Sequence, residues 1–516
     1  MKCRFNYVFF SVFVFVFAVM LAGAGAQPAN PADPVLPQNL LGREYVDIAN
    51  GVSLRPPFGS EIYSGLSREP NQPPSLPGLV CRFDQWDAVV IPTSKDLVCF
   101  YNSPRRQYLV VSLLIAREKT DHEQLLQARQ NFWQTYPNQA VIETALSDLI
   151  NNRPFGRLTL TWQPQTPDQE KQTIQEVLIQ SEKRRFFLLS LIEPTAGTES
   201  SDPNPLIEQI VRNFNAMDEP EVKRRWQQTR KASQDLLSKI DISQISQAIR
   251  KKSWYRIQMD GQDKGFRCVT EQVAEESGKK KLTLQAVSFF EPGPAASAFL
   301  QMKGWALPVN EDAPSLLDLP TGPSRLEEQY SMPDDLTAEE FRIRWTDREN
   351  AARGWEKRVV WKDGVLSMEW FSHSQQTEPV LTESMEMKEK IYLPAALASL
   401  LGRLMEKEAG REYTFLSLAP QGLGYYIQRV AAREKMEVAQ APADPPASNP
   451  QDTKTTIEIP VYYVVSRMEP NGKIVETWLD EKGMMLRQRS GGIVIQHSDE
   501  DTIKKIWPEQ AGQVAF

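Results

Sequence analysis

Residues 254–266 have the sequence WYRIQMDGQDKGF, and this stretch decides the fold of the C-terminal half. Its Asp260-Gly261 pair follows an apolar run, and Asp-Gly readily adopts the positive φ angles of a two-residue hairpin turn. Asp363-Gly364 and Asn471-Gly472 lie between apolar runs in the same way, and Lys482-Gly483 predicts a further turn. The sequence therefore predicts strands that are joined by tight hairpins.

The hairpins predict a strand-rich C-terminal domain over residues 253–506. Its one predicted helix covers residues 395–405, and residues 436–455, which are rich in Pro, Ala and Asn, predict a disordered insertion. Because the turns are short, we expect neighbouring strands to pair in antiparallel fashion. The predicted strands are residues 254–259, 265–272, 281–290, 357–361, 365–371, 456–465, 473–479 and 484–489.

Two segments of this domain combine strand, turn and strand. The first is residues 254–266, in which the turn is followed by Gly265-Phe266, and the second is ETWLDEKGMMLRQ, residues 476–488, with an acidic turn. Together they resemble the LolA-like family of exported bacterial proteins. The resemblance implies a curved antiparallel sheet, or half-barrel, that is partly closed by a helix. It also implies a concave apolar face that can hold an acyl chain.

The N-terminal half predicts a domain over residues 42–217 that mixes strands and helices. Thr120 and Glu123 have the spacing of a capping box at the start of a helix. Pro205 in a first helical turn and Phe214 at the far end mark a closing helix. The predicted strands are residues 51–55, 88–91, 97–101, 108–116, 157–162, 173–180 and 185–193.

The N-terminal domain opens with GVSLRPP, residues 51–57, and ends with RRFFLLSLIEP, residues 184–194, and NPLIEQIVRNF, residues 204–214. This order resembles the PsbP-like and DcrB-like family, and Ile192 and Phe214 fit two of its apolar positions. The resemblance implies an α/β/α sandwich with an antiparallel sheet. It also implies a binding or accessory role, because most members of the family are not enzymes.

A charged segment, residues 218–252, joins the two domains. Its apolar residues recur at helical spacing, which is typical of a connecting helix and also fits a helix that binds a partner. The sequence therefore predicts an α+β chain of two domains. These are an α/β/α sandwich with an antiparallel sheet and a curved antiparallel half-barrel, joined by a helical linker.

The first 26 residues have the organisation of a secretory signal peptide. Lys2 and Arg4 precede an apolar run, and Ala24-Gly25-Ala26 is a small-x-small cleavage site. We expect cleavage between Ala26 and Gln27, a Pro-rich tether over residues 27–41, and a periplasmic or extracellular protein. No later stretch is apolar enough to cross a bilayer, so no transmembrane span is expected once the signal is removed.

Charge and cysteine content limit the function classes further. The chain has 59 basic and 66 acidic residues and a net charge of −7, which disfavours nucleic-acid binding. Cys3 belongs to the signal peptide and Cys268 is unmatched. Cys81 and Cys99 lie in strand-like segments, where they form either a disulfide in an oxidising compartment or two buried thiols.

Catalytic and metal-binding motifs do not stand out in the sequence. His122, His373 and His497 are far apart and have no partner at zinc-ligand spacing. Neighbouring carboxylates occur, but an acid or base needs a raised pKa in an apolar pocket, which sequence does not show. We expect no metal, no cofactor and no catalytic residue.

Tryptophans of the C-terminal domain are the remaining candidates for a binding site. The residues Trp254, Trp361, Trp370 and Trp478 lie on predicted strands, where they form either a sheet core or an aromatic groove for an apolar ligand or peptide.

The sequence as a whole leaves three candidate functions. The chain is a non-catalytic binding or scaffold module of the envelope, with a protein or hydrophobic small molecule as partner; a carrier of an acyl-type ligand in the half-barrel; or a hydrolase that uses a buried carboxylate. We favour the first.

Overall fold

Antiparallel β-sheet dominates the computed structural model of the chain, as the hairpin turns predict. The predicted signal peptide, its cleavage site and Cys81 lie outside the described residues. The structure describes residues 40–63, 91, 93–116, 120–135, 140–150, 153–162, 170–195, 205–276, 278–303, 322–349, 354–372, 378–387, 391–419, 422–439, 456–469 and 473–514.

Two antiparallel sheets form the N-terminal part. The smaller sheet has the order β1-β2-β10, and the larger has the order β3-β4-β5-β9-β8-β7-β6. The elements are β1 Tyr45–Asp47, β2 Val52–Leu54, β3 Glu61–Tyr63, β4 Thr93–Asn102, β5 Gln107–Ile115, α1 His122–Thr135, β6 Ala140–Ile150, β7 Arg153–Trp162, β8 Gln172–Glu182, β9 Arg185–Pro194, α2 Pro205–Arg212 and β10 Asn215–Ala216.

Helix α1 packs on the larger sheet through Trp133, which is buried among the strand side chains. The predicted cap of this helix is displaced by one residue. Asp121, and not Thr120, accepts a hydrogen bond from the backbone N–H of Gln124, because a short carboxylate directly before the helix reaches that donor. The closing helix α2 begins at Pro205 as predicted.

Two helices lead from the N-terminal sheets to the C-terminal sheet. They are α3 Glu219–Leu237 and α4 Ile242–Ala248, and Asp218 and Asp241 cap their first turns. Both helices lie within residues 218–252, where the sequence predicts helix, and their role as a linker between domains stays a prediction. Residues from Leu41 to Phe516 form one compact unit, so the division into two domains stays a prediction.

In the described residues, the C-terminal part is one fourteen-stranded antiparallel sheet with four helices. The elements are β11 Lys252–Met259, β12 Gln262–Glu276, β13 Lys279–Phe290, α5 Ala295–Met302, β14 Ser324–Pro333, β15 Ala338–Asp347, β16 Gly354–Lys362, β17 Val365–Phe371, β18 Leu381–Glu386, α6 Ala395–Leu404, β19 Glu412–Ala419, β20 Gly422–Ala439, β21 Thr456–Glu469, β22 Lys473–Leu479, β23 Met485–Ser490, β24 Ile493–Ser498, α7 Glu500–Ile506 and α8 Pro508–Gly512. Of these helices only α6 was predicted; α5 lies between two strands, and the last two helices follow the sheet.

The strand order explains where the sheet begins and ends. Strands β11 to β18 form one arm and β19 to β24 form the other, and the arms join where β11 pairs with β24. The two end strands, β18 and β19, are neighbours in sequence and do not pair, so the barrel is not closed. Helix α6 lies in the connection between them.

The Asp-Gly turns have the predicted geometry. Asp260 and Gly261 have φ angles of 51° and 75°, and Asp363 and Gly364 have 52° and 76°. Positive values at both central positions define the turn that suits the twist of a hairpin.

The predicted insertion over residues 436–455 begins too early, because β20 runs to Ala439 in a ladder with β21. Residues 440–455 and the Asn471-Gly472 pair lie outside the described residues.

Charged pairs hold the N-terminal strands against the second arm. Arg467 of β21 donates to the Tyr45 hydroxyl over 2.8 Å and pairs with Asp47, and all three side chains are buried. Arg489 of β23 pairs with Glu61 at 2.9 Å. The contact between the N-terminal strands and the second arm therefore includes ion pairs, one of them buried.

Two glycines allow α6 to approach the turn between β22 and β23. Gly483 has a φ angle of +81°, and a Cβ atom there would lie 2.0 Å from the carbonyl oxygen of Gly402. Such a distance is far below van der Waals contact. Gly483 is therefore required for its backbone angle and for its lack of a side chain.

We expect Gly483→Ala to unfold the protein at a much lower denaturant concentration than Gly261→Ala. Gly261 has a similar φ angle of +75°, and a Cβ atom added there would have no neighbour within 4 Å, so its change costs only the backbone strain, roughly 1 kcal/mol. Gly483→Ala adds a backbone clash, and its total loss of stability should exceed about 3 kcal/mol. Equal losses for both variants in urea unfolding would show that α6 does not contact this turn.

Candidate functional site

A buried carboxylate holds the N-terminal end of α6. Glu339 of β15 accepts hydrogen bonds from the backbone N–H of Ala395 at 3.0 Å and of Ala396 at 2.7 Å, and from the Tyr392 hydroxyl at 3.4 Å. The first N–H groups of a helix have no partner within it, so Glu339 replaces a local cap across the sheet. Burial raises the pKa of Glu339 to about 7, although the three donors lower it.

An ion pair holds the C-terminal end of α6. Both terminal nitrogens of Arg403 contact the Glu271 carboxylate of β12, at 2.7 and 2.5 Å. Arg403 also donates to the carbonyl oxygen of Ala248 at 2.8 Å, and Glu271 accepts from the backbone N–H of Arg250 at 2.7 Å. Both side chains are more than nine-tenths buried, so one contact ties α6 to the first arm and to the end of α4.

A second buried ion pair lies on the inner face of the first arm. Arg267 pairs with Glu328 through both carboxylate oxygens, and one of these contacts measures 2.8 Å. The Tyr330 hydroxyl donates to Glu328 at 2.9 Å, and Arg267 donates to the Ser288 hydroxyl at 3.2 Å. Arg267 and Glu328 are therefore fully engaged with each other and with two hydroxyl groups.

A cavity of about 180 Å³ lies between α6 and the inner faces of both arms. The first arm, α5 and the segment before α6 contribute both charged and aromatic side chains. The second arm contributes the guanidinium group of Arg467 together with hydroxyl, amide and apolar groups. The described lining residues are Arg267, Met302, Lys303, Glu328, Tyr330, Phe341, Tyr392, Leu393, Ala395, Ala398, Ser399, Ser417, Leu418, Tyr426, Ser466, Arg467, Met468, Val475 and Gln488. This cavity is the candidate binding site.

The predicted tryptophans lie elsewhere, and none of the four is among the described lining residues. Trp254 is buried under the C-terminal helices against Phe266, and Trp478 donates to Glu434 at 2.7 Å. Trp361 and Trp370 are on the inner face of the first arm, in or beside the main core. The structure therefore separates the four rings instead of joining them in one groove.

Trp370 has an unusual neighbour. The Lys357 ammonium lies 4.4 Å from its ring centre, and Lys357 is 1 % exposed. Burial lowers the pKa of Lys357 to about 7. The ring therefore offers a cation–π contact to a lysine within the core.

The described residues include Cys99 and His497 but do not test the predicted cysteine pair. Cys99 is buried in β4, and because Cys81 lies outside the described residues, their pairing stays a prediction. His497 is an exposed residue whose ring lies 5.6 Å from that of Tyr255, between ring centres, and partial desolvation lowers its pKa. Within the described part of the chain, no cluster of three or more His, Cys, Asp or Glu residues suits a metal ion.

No helix of the described residues has both the length and the apolar character needed to cross a membrane.

Comparison of the whole sequence with known proteins finds no matching family model and no matching curated protein. Sequence comparison thus assigns no family.

Three solved structures share a loose resemblance of fold. A β-barrel-like protein with a domain of unknown function from Brucella abortus is 8 % identical, with a TM-score of 0.28, and the match covers 48 % of this chain and 94 % of that one. Cyanobacterial PsbP from Synechocystis is 12 % identical, with a TM-score of 0.24 over 36 % of this chain and 98 % of that one. The Ran-binding protein Mog1p from Saccharomyces cerevisiae is 13 % identical, with a TM-score of 0.24 over 35 % and 98 %. At these scores the resemblance assigns neither a family nor a function.

Sequence reasoning missed the charged residues of the interior, although their strands carry a signal. In β14 and β15 apolar residues alternate with polar ones, and Glu328 and Glu339 occupy positions that the alternation assigns to the buried face. A glutamate in register with buried residues needs a buried partner. That rule identifies these residues as candidates but does not give their partners.

We expect Arg403→Met to destabilise the protein by about 3 to 5 kcal/mol, because it leaves the Glu271 carboxylate buried without its partner. The double variant Arg403→Met/Glu271→Gln should recover most of the loss, since it removes both charges. Lys435→Met is the control, because its pair with Glu458 is exposed (74 % and 57 %) and should contribute less than about 1 kcal/mol. A double variant no more stable than Arg403→Met alone in urea unfolding would contradict this account.

Stability should also depend on pH through Glu339. Its pKa rises from 4.5 in the unfolded chain to about 7 in the fold, so the folded state binds more protons in this window and loses stability as the pH rises. The loss should approach 3 kcal/mol, at about 1.4 kcal/mol per pH unit. Glu339→Gln removes the titration, so the stability difference between variant and wild type should shift in favour of the variant from pH 4.5 to 7. A difference that is constant over this range would show that Glu339 does not titrate there.

Proposed function

We propose that this chain is an exported, non-catalytic binding protein whose ligand site is the cavity beside α6. The observation that carries the proposal is the cavity of about 180 Å³, which both arms and α6 line. A water molecule occupies about 30 Å³ in the liquid, and pockets for drug-sized ligands measure roughly 300 to 1,000 Å³. The cavity therefore suits a small organic molecule.

The state of the buried carboxylates supports a non-catalytic role. Glu328 is bound by Arg267 and Tyr330, and Glu339 is bound by the first turn of α6. A general acid or base must be free to exchange a proton with a substrate. Because both carboxylates hold neighbouring protein groups, they favour a structural role over a hydrolase mechanism.

The packing of the interior favours a small ligand over an acyl chain. Phe299 of α5 and Leu397, Leu400 and Leu401 of α6 belong to the main core and fill the space between the arms. The concave face that a lipid carrier would leave open is thus largely covered by the protein's own side chains. Export rests on the basic start, apolar run and small-x-small site of residues 1–26.

Native mass spectrometry of the mature chain, purified from the cells that make it, tests this proposal. We expect a reproducible added mass of a small molecule, which solvent extraction removes. Ala398→Trp should abolish the added mass, because Ala398 lines the cavity from an exposed position and a large ring there fills the space.

Gln234→Trp is the matched control for this experiment. Gln234 is an exposed residue of α3 and is not among the described residues that line the cavity, so this variant should keep the added mass. A bare mass for the wild-type chain would contradict the proposal. It would favour a protein-binding scaffold, and cross-linking in the intact envelope would then identify the partner.

A further inference from the structure

The charged side chains that line the cavity carry more positive than negative charge. They are Arg267, Lys303, Glu328 and Arg467. Arg267 and Glu328 neutralise each other through their two-point contact, and Arg467 is paired with Asp47 and Glu469. Lys303 has no carboxylate within 4 Å among the described residues, so its positive charge has no close counter-charge in that part of the chain.

The environment of Lys303 is unfavourable for an ammonium group. Burial and the nearby Arg267 guanidinium lower the pKa of Lys303 to about 8, and Glu328 offsets this only in part. The ring of Phe299 lies 5.7 Å from the ammonium. A bound anion would supply the missing counter-charge, and an ion pair in such partly dry surroundings is stronger than one in water.

Apolar side chains also line the cavity, beside the hydroxyl and amide groups of the second arm. Phe341, Leu393, Leu418 and Val475 line it together with Met302. An apolar cavity of about 150 Å³ in another protein holds benzene, so about 180 Å³ accommodates a six-membered ring with one small substituent.

We propose that the cavity binds a small monocarboxylate with an apolar body about the size of one ring, and that Lys303 contacts its carboxylate. One negative charge balances the single uncompensated positive charge. The apolar walls enclose the body of the ligand. This inference rests on the proposed function of the cavity as a ligand site and adds the class of the ligand.

Three probes of equal size test the inference: benzoate, the neutral benzamide and the cationic benzylamine. Binding to the mature full-length chain is measured by isothermal titration and ligand-observed NMR at pH 7. We expect benzoate to bind about tenfold more tightly than benzamide or better, and benzylamine to bind most weakly. Lys303→Gln should weaken benzoate binding about tenfold and leave benzamide unchanged. The control Lys482→Gln removes the same charge at an exposed turn residue and should change neither.

A second variant keeps the test decisive if Lys303→Gln does not fold. Ser399→Asp places a negative charge on an exposed residue of α6 that lines the cavity, and it should weaken benzoate binding without affecting benzamide. Equal binding of benzoate and benzamide, abolished by Ala398→Trp, would overturn the carboxylate inference and leave the proposed function in place. Failure of all three probes to bind would overturn this inference, while an added native mass would still uphold the proposed function.

Discussion

The C-terminal sheet depends on the charged contacts that fix the two ends of α6. Glu339 binds the first turn and Glu271 binds Arg403 in the last, and all three side chains are buried. A buried charge without a partner costs several kcal/mol, so each carboxylate is tolerable only with the helix in place. The apolar face of α6 stabilises the interior, but apolar packing alone would allow the helix to slide. The charged contacts fix its position along the sheet.

This constraint follows from the order of the strands. The two ends of the fourteen-stranded sheet are β18 and β19, and the chain passes from one to the other through α6. Open sheet edges invite pairing with other chains, and proteins protect them. Here α3 covers the β19 end, where the Ser233 hydroxyl accepts from the backbone N–H of Thr414 at 2.7 Å, and the segment before α6 pairs with β19 through Leu393. The helix therefore occupies the gap that closure of a barrel would otherwise fill.

Local patterns in the sequence were enough to predict the hairpins and α6, because a turn such as Asp260-Gly261 is determined by a few neighbouring residues. They also predicted α2 and the helical character of residues 218–252. The position of the interior charges was not predictable, since Glu339 and its helix are 56 residues apart and no local pattern pairs them. The tryptophans left two interpretations open, a sheet core or an aromatic groove, for a related reason. Large rings such as Trp254 and Trp370 stabilise separate cores, and composition alone does not distinguish a core from a groove.

The cavity and the stability of the fold share the same residues. Tyr392 both donates to Glu339 and lines the cavity, and Glu328 both pairs with Arg267 and borders the same space. Side chains that must keep their hydrogen-bond partners cannot turn inward to fill a void, so a space remains where they surround it. They also hold the walls in one arrangement, so a ligand would bind without the entropic cost of ordering them. Lys303 differs from them, because it lines the cavity without a carboxylate partner among the described residues. Its pKa is lowered to about 8, which shows that the surrounding protein disfavours the charge, and a bound anion would stabilise the charged form.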